Sequence, residues 1–421
     1  MPPPHKPFTG WVLVPPSPTG TVSNFLEPAS RELIWKWIEL LANNPIEGRK
    51  LFPGNLAAKN RLWREFNNLV RQAKAYDDAA ALVAGNSSGL LQYYALLNLA
   101  KAELLVTNAG AVMTPPFRHG LLFRRSPGDS MSGDVVEIAA GVFPLLYEKR
   151  TGLPLPIGTK LPAKRLLGHV PEIGWELSRL GLASCQVASF AHAVVFDATH
   201  VWAVMLCQRL DVVLNSAASK AKLTPNFEIV DLQLPEWRDT FGFSRRRLAG
   251  LHRCLQSRWS FPRVDPNGSV DEEEIVKTAR ETWRRLSGLV DTTTEPGADA
   301  LLTPSLLKSR WLPMPPSLAR YALMFYLSSL VRYAPTKLDP RRQADQAWLF
   351  DSFAGEAHIP LLINSLNGMA VEPVLFHPRA AQRTRLNFLG SRSIHPCSAT
   401  AAIRCRPRPI SRLDGAVEPA P

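Results

Sequence analysis

Between Pro316 and Pro335 lies the run Ser-Leu-Ala-Arg-Tyr-Ala-Leu-Met-Phe-Tyr-Leu-Ser-Ser-Leu-Val-Arg-Tyr, whose apolar residues fall on every side of a helix and not on one stripe. Such a helix is stable only when the rest of the chain surrounds it, so this segment demands a globular body built around it. Ser317 is its expected N-cap and Pro335 its end. Apolar residues at helical spacing predict the other helices. Leu33, Ile34, Trp37, Ile38 and Leu41 mark Arg31 to Ala42, behind an N-cap at Ser30. Leu62, Phe66, Val70 and Ala73 mark Leu56 to Ala84, Ser88 to Thr107 follows, and a last pair covers Asp345 to Met369. Ser269 and Glu272 are spaced as a capping box for a helix reaching Leu289, and the acids Asp271 to Glu274 favour the positive end of its dipole, a structural role.

Asp134 to Tyr147 is rich in β-formers, with Gly141 a candidate bulge, and Phe227 to Leu234 alternates as a strand does. Gln186 to Leu210 is apolar at nearly every position, and its period does not choose between helix and strand. The 37 prolines imply interrupted helices and long connections, of which Asn108 to Gly133 is one. The expected fold is mainly α, of the α+β class. It comprises a flexible Pro-rich arm (1–24), an N-terminal helical region (25–130), a mixed middle (131–299), a C-terminal helical region packed on the N-terminal one (300–375) and a disordered Arg/Pro-rich tail (376–421).

The net charge of +13 would indicate a nucleic-acid partner were it spread over the body, but it is not. Residues 376–421 hold eight arginines, no lysine and two acids, so the tail carries +6 and the preceding 375 residues only +7. That tail composition is typical of a disordered end, and a shifted reading frame in a GC-rich gene would produce it too; a further reading is nucleic acid bound through this basic tail alone. No run approaches the roughly 18 apolar residues of a spanning helix. Prolines occupy the N-terminus where a signal peptide would carry its basic and apolar regions, so neither secretion nor membrane insertion is expected. Cys185, Cys207, Cys254, Cys397 and Cys405 form no Cys-x-x-Cys pair, which fits a reducing cytoplasm.

The common phosphate-loop, dinucleotide, nucleophile-elbow and zincin motifs are missing from the sequence, which leaves enzymatic activity undecided and implies no cofactor. His192, Asp197 and His200 are close in sequence, but their offsets leave one helix face and no fourth ligand accompanies them, so they are read as satisfied core polar groups and no metal is expected. Arg247 and His252 form Arg-x-x-x-x-His. This resembles the motif of HEPN-type ribonucleases, which implies an arginine and a histidine acting on RNA through its 2'-hydroxyl. The plainer reading is a solvated basic face with Arg245, Arg246 and Arg253.

Two basic residues stand out by geometry. At about 100° per residue, Gln92 and Glu103 share one side of the 88–107 helix, expected to be its wet face. Lys101 then points the other way, among Leu90, Tyr94, Leu97 and Leu104, with Asn98 on the flank. A lysine on an apolar stripe costs free energy unless it is paired or reaches water. Arg332 falls on the stripe of Tyr321 and Phe325, near a helix C-terminus where an arginine satisfies free carbonyls. The sharper expectation is that Lys101 and Arg332 converge with His119 on a pocket for an anion, with RNA or another anionic ligand as partner.

Four segments then carry a resemblance. They are Leu90-Leu91-Gln92-Tyr93-Tyr94 running into Asn98-Leu99-Ala100-Lys101-Ala102, His119-Gly120-Leu121, Gly141-Val142-Phe143, and Leu327-Ser328-Ser329-Leu330-Val331-Arg332-Tyr333-x-Pro335. In that order they resemble the YaaC-like family of bacterial proteins, from about Ser30 to Val374. Gln92 departs from the small or apolar residue usual there. The resemblance implies a cytoplasmic bacterial protein without an established activity, and its recurrent positions fall here on Tyr94, Lys101, His119, Arg332 and Tyr333.

Overall fold

The computed structural model describes residues 10–14, 25–28, 30–83, 85–182, 185–207, 209–232, 253–265, 270–286, 300–307, 310–370 and 375–377. The first helices form where capping and apolar spacing agree. Ser30 accepts the Leu33 amide at 3.1 Å and opens α1 (Arg31–Asn43). Asn55 does the same for α2 (Leu56–Ala81) through the Ala58 amide at 3.0 Å. The apolar stripes of these helices meet α3 (Ser88–Thr107). Ile34, Trp35 and Ile38 pack with Phe66, Val70 and Ala73, with Leu99, Ala102 and Leu105, and with Leu362, Ile363 and Leu366 from the far end of the chain. Each large side chain buried this way contributes roughly 1.5–3 kcal/mol.

Past α3 the chain makes a three-stranded antiparallel sheet of β3 (His119–Arg124), β4 (Val135–Gly141) and β5 (Lys160–Pro162). The predicted strand 134–147 is cut at Gly141, and Val142–Thr151 is helix α4. Gly141 has φ 145°, and a Cβ there would lie 2.2 Å from the Arg118 carbonyl oxygen, so the backbone turns sharply and Val142, Phe143, Leu146 and Tyr147 enter the core from a helix.

The middle of the chain is a larger antiparallel sheet, ordered β1-β6-β7-β9-β8, with β10 (Phe261–Pro262) also on β7 and β11 (Ala300–Leu302) also on β6. Its other strands are β1 (Gly10–Val14), β6 (Ala188–Phe196), β7 (His200–Cys207), β8 (Phe227–Asp231) and β9 (Arg253–Ser257). The run of undecided period is therefore a hairpin. Both faces of its strands are covered, which erases alternation. Residues 10–14 of the expected flexible arm pair with β6, and Leu375–His377, which reaches into the expected tail, forms β12 in parallel with β2 (Phe25–Pro28). The rest of the tail lies outside the described residues.

Helix α5 (Glu272–Arg285) covers this sheet, and its capping box is Asp271 with Glu274, not Ser269 with Glu272. Glu274 bonds the Asp271 amide at 2.9 Å and also holds the Val264 amide, a long-range partner that fixes where the helix starts.

Helix α6 (Pro316–Tyr333) is buried from Pro316 to Leu330, and α7 (Ala344–Glu356) and α8 (His358–Met369) complete the body. Pro316 occupies its first turn, and the Pro315 carbonyl takes the Leu318 and Ala319 amides at 3.0 and 2.9 Å, so Ser317 makes no side-chain cap. Arg320 is compensated by Glu172 and by Asn364. Tyr326 donates to Asp134 at 2.7 Å, and Asp134 also takes the fully buried Lys337 ammonium at 2.8 Å.

Candidate functional site

Along α3 the solvent contact runs opposite to the sequence expectation. Leu90, Tyr94, Leu97 and Lys101 form its half-exposed stripe, while Gln92 and Glu103 are buried. The cause is a partner 47 residues away: Arg150 of α4 donates to both Glu103 oxygens, at 3.2 and 2.6 Å, and Lys149 adds its charge. The apolar residues of α3 are spread nearly evenly round it, so its few polar groups were the only guide to a face, and they misled.

Lys101 therefore reaches water, partly buried, and among the described residues it makes no hydrogen bond or ion pair. Burial holds its ammonium below the usual range, with the field of Glu65 on α2 partly opposing. His119 comes from the first position of β3. Its Nδ1 accepts the Leu121 amide at 3.2 Å, and its ring lies 5.3 Å from Phe325 of α6. Gly120 at φ 81° and Gly141 at φ 145° allow the backbone crossing that sets this ring in place. Since Nδ1 is an acceptor, the neutral imidazole carries its proton on Nε2 and offers a donor there.

Arg332 is exposed at the end of α6. Its Nε donates to the Ser328 carbonyl at 3.2 Å, its Nη1 to the Tyr94 hydroxyl at 3.3 Å, and its guanidinium lies 4.9 Å from the Tyr333 ring. The carbonyl contact is the helix-end role expected from sequence, and the other two are additional. Burial, followed by the fields of Arg332, Lys101 and Arg118, holds the His119 imidazole below its ordinary range. The fields of three cations from three separate segments thus act on one ring.

Of the sequence candidates, Arg332 touches Tyr94 and Tyr333, and the charges of Arg332 and Lys101 act on His119. Asn98 is buried within α3 and presents little surface. Arg118 and Tyr76 were not singled out. Tyr76 stacks on Tyr94 with ring centroids 5.4 Å apart.

Arg247 and His252 lie outside the described residues, as do residues 378–421 of the tail. His192, Asp197 and His200 do not share a site. Asp197 Oδ1 takes the amides of Thr199 at 2.6 Å and His200 at 2.8 Å, closing the β6–β7 turn. His192 is buried in β6, and among the described residues neither ring nitrogen has a hydrogen-bond partner, so it is not the satisfied core group expected. Among the described residues no cluster of three or more His, Cys, Asp or Glu is arranged to hold a metal ion, and no helix is long and apolar enough to cross a membrane.

The segments bearing this arrangement fall within residues 56–363, which match the model of the YaaC-like protein family. The chain belongs to the YaaC-like family. No match was found among curated proteins or among solved structures. The family match lends no support to the HEPN resemblance.

Proposed function

We propose that this YaaC-like protein binds an anion between Lys101, Arg118, His119 and Arg332. The observation that carries the reading is the collection of three cations and an N–H donor from α3, β3 and the end of α6 around one half-exposed surface. Like charges held together destabilise a fold unless something offsets them. Glu65 is the acidic group whose field reaches Lys101, and among the described residues no carboxylate acts on His119. The Tyr94 hydroxyl, accepting from Arg332, keeps its own proton free to donate. An array of donors of this kind matches an oxyanion, as arginine forks and point-charge lysines do elsewhere.

The test is calorimetric titration of the protein with inorganic phosphate and with sulfate, repeated on Lys101→Ala and Arg332→Ala. Both side chains reach solvent, so each variant should fold within about 0.5 kcal/mol of the parent and lose binding. Variants that both unfold, or that both bind as the parent does, would remove the basis for the site.

A further inference from the structure

Among the described residues four aromatic side chains are more than a third exposed: Tyr76, Trp175, Tyr333 and Trp348. Trp175 and Trp348 meet edge to face, with ring centroids 5.9 Å apart, and Arg179 lies over Trp175. The other two flank the basic cluster. Tyr76 stacks on Tyr94, the Tyr94 hydroxyl accepts from Arg332, and the Arg332 guanidinium sits against Tyr333. Tyr76, Tyr94, Arg332 and Tyr333 thus make one continuous row of planar groups from α2 across α3 to the end of α6, beside Lys101 and His119. Tyr333 is 62% exposed, the most open aromatic of the row, and ends a helix that is buried throughout from Pro316 to Leu330. Keeping a large ring in water there brings little packing, since among the described residues its one ring contact is with its neighbour's guanidinium.

We propose that the ligand of this site is a phosphate ester bearing a planar aromatic base, with the phosphate among Lys101, His119 Nε2–H and Arg332 and the base stacked on Tyr333. The inference rests on the anion reading above and adds the second half of the ligand. Arg332 serves both halves, as a charge-assisted donor to the phosphate and as the cation against the platform ring. A basic surface interleaved with aromatic rings is what bases and their phosphates require together, because every base has a face to stack and every phosphate a charge to neutralise. Free nucleotides and single-stranded nucleic acid share this chemistry.

The experiment titrates the full chain with adenosine 5'-monophosphate, with ribose 5-phosphate and with a short single-stranded oligoadenylate. The nucleotide should bind about fivefold to a hundredfold more tightly than ribose 5-phosphate, the gain expected from one stacked base. Tyr333→Ala should abolish that difference while retaining ribose 5-phosphate binding, and Tyr333→Phe should keep it. Equal affinities in the parent, or an undiminished difference in Tyr333→Ala, would overturn the base subsite and leave the anion site standing. Failure of both phosphates to bind would instead overturn the anion reading beneath it. Oligoadenylate bound more tightly than the mononucleotide assigns the source to a strand, and the reverse order to a free nucleotide.

Discussion

The Glu103 carboxylate, without solvent exposure, receives Nε and Nη2 of Arg150 at 3.2 and 2.6 Å. Burial pushes this carboxyl up, and Arg150 and Lys149 outweigh it, holding the group below the usual carboxylate range. Removing one partner of a buried pair leaves the other uncompensated. Glu103→Ala should therefore destabilise the protein by about 3 kcal/mol, read as a lower denaturant midpoint at neutral pH. A loss below about 1 kcal/mol would show that Arg150 and Lys149 find water instead.

Acid should weaken the fold before its carboxylates titrate. Burial pushes both His169 and His192 down from 6.5 to about 4. His169 makes a 2.9 Å contact with the Met314 carbonyl, whereas His192 has no hydrogen-bond partner among the described residues. A depressed histidine favours the neutral form in the fold. Its stabilising contribution is full above about 6.5 and disappears as pH falls towards about 4. Denaturation curves between those limits should slope by up to about 1.4 kcal/mol per pH unit for each histidine. His192→Leu should flatten that slope, and an unchanged slope would show that His192 does not stay neutral.

Gly141 ties stability to the candidate site. Alanine there would place a Cβ against the Arg118 carbonyl at φ 145°, displacing the turn that seats His119. Gly141→Ala should cost about 1–3 kcal/mol and weaken phosphate binding, although it removes no group from the site. Melting curves and phosphate titrations on the same sample check both. Binding at parental affinity would mean that His119 is positioned by β3 alone.

Much of the helical framework was legible because α1, α2 and α6 declare themselves by spacing, and in α6 by the lack of a polar face. What was not legible depended on distant partners. The buried side of α3 was inverted because Glu103 is neutralised from α4, beyond the reach of a helical wheel. Val142 and Phe143 read as strand because residue preference takes no account of the sharp turn at Gly141. The β6–β7 turn did carry a local sign, since Asp197 two residues before Thr199 is a side-chain turn former. At the site, Lys101 and Arg332 could be picked out as charges on apolar stripes. Arg118 and Tyr76 could not, because an exposed arginine and an exposed tyrosine are ordinary until their neighbours are known.

The pairing of β2 with β12 and the seating of α8 against α1 and α3 give this body an order of assembly. A ribosome delivers α1, α2 and α3 first. Their shared apolar face, with Trp35, Phe66 and Leu99, stays uncovered until Leu362, Ile363 and Leu366 have been synthesised. At about 5–20 residues per second, the delay of some 260 residues between Leu99 and Leu362 lasts roughly 13–50 s. For that interval the apolar face that α8 will cover stays open on the growing chain, the kind of surface that makes unfinished chains prone to aggregate.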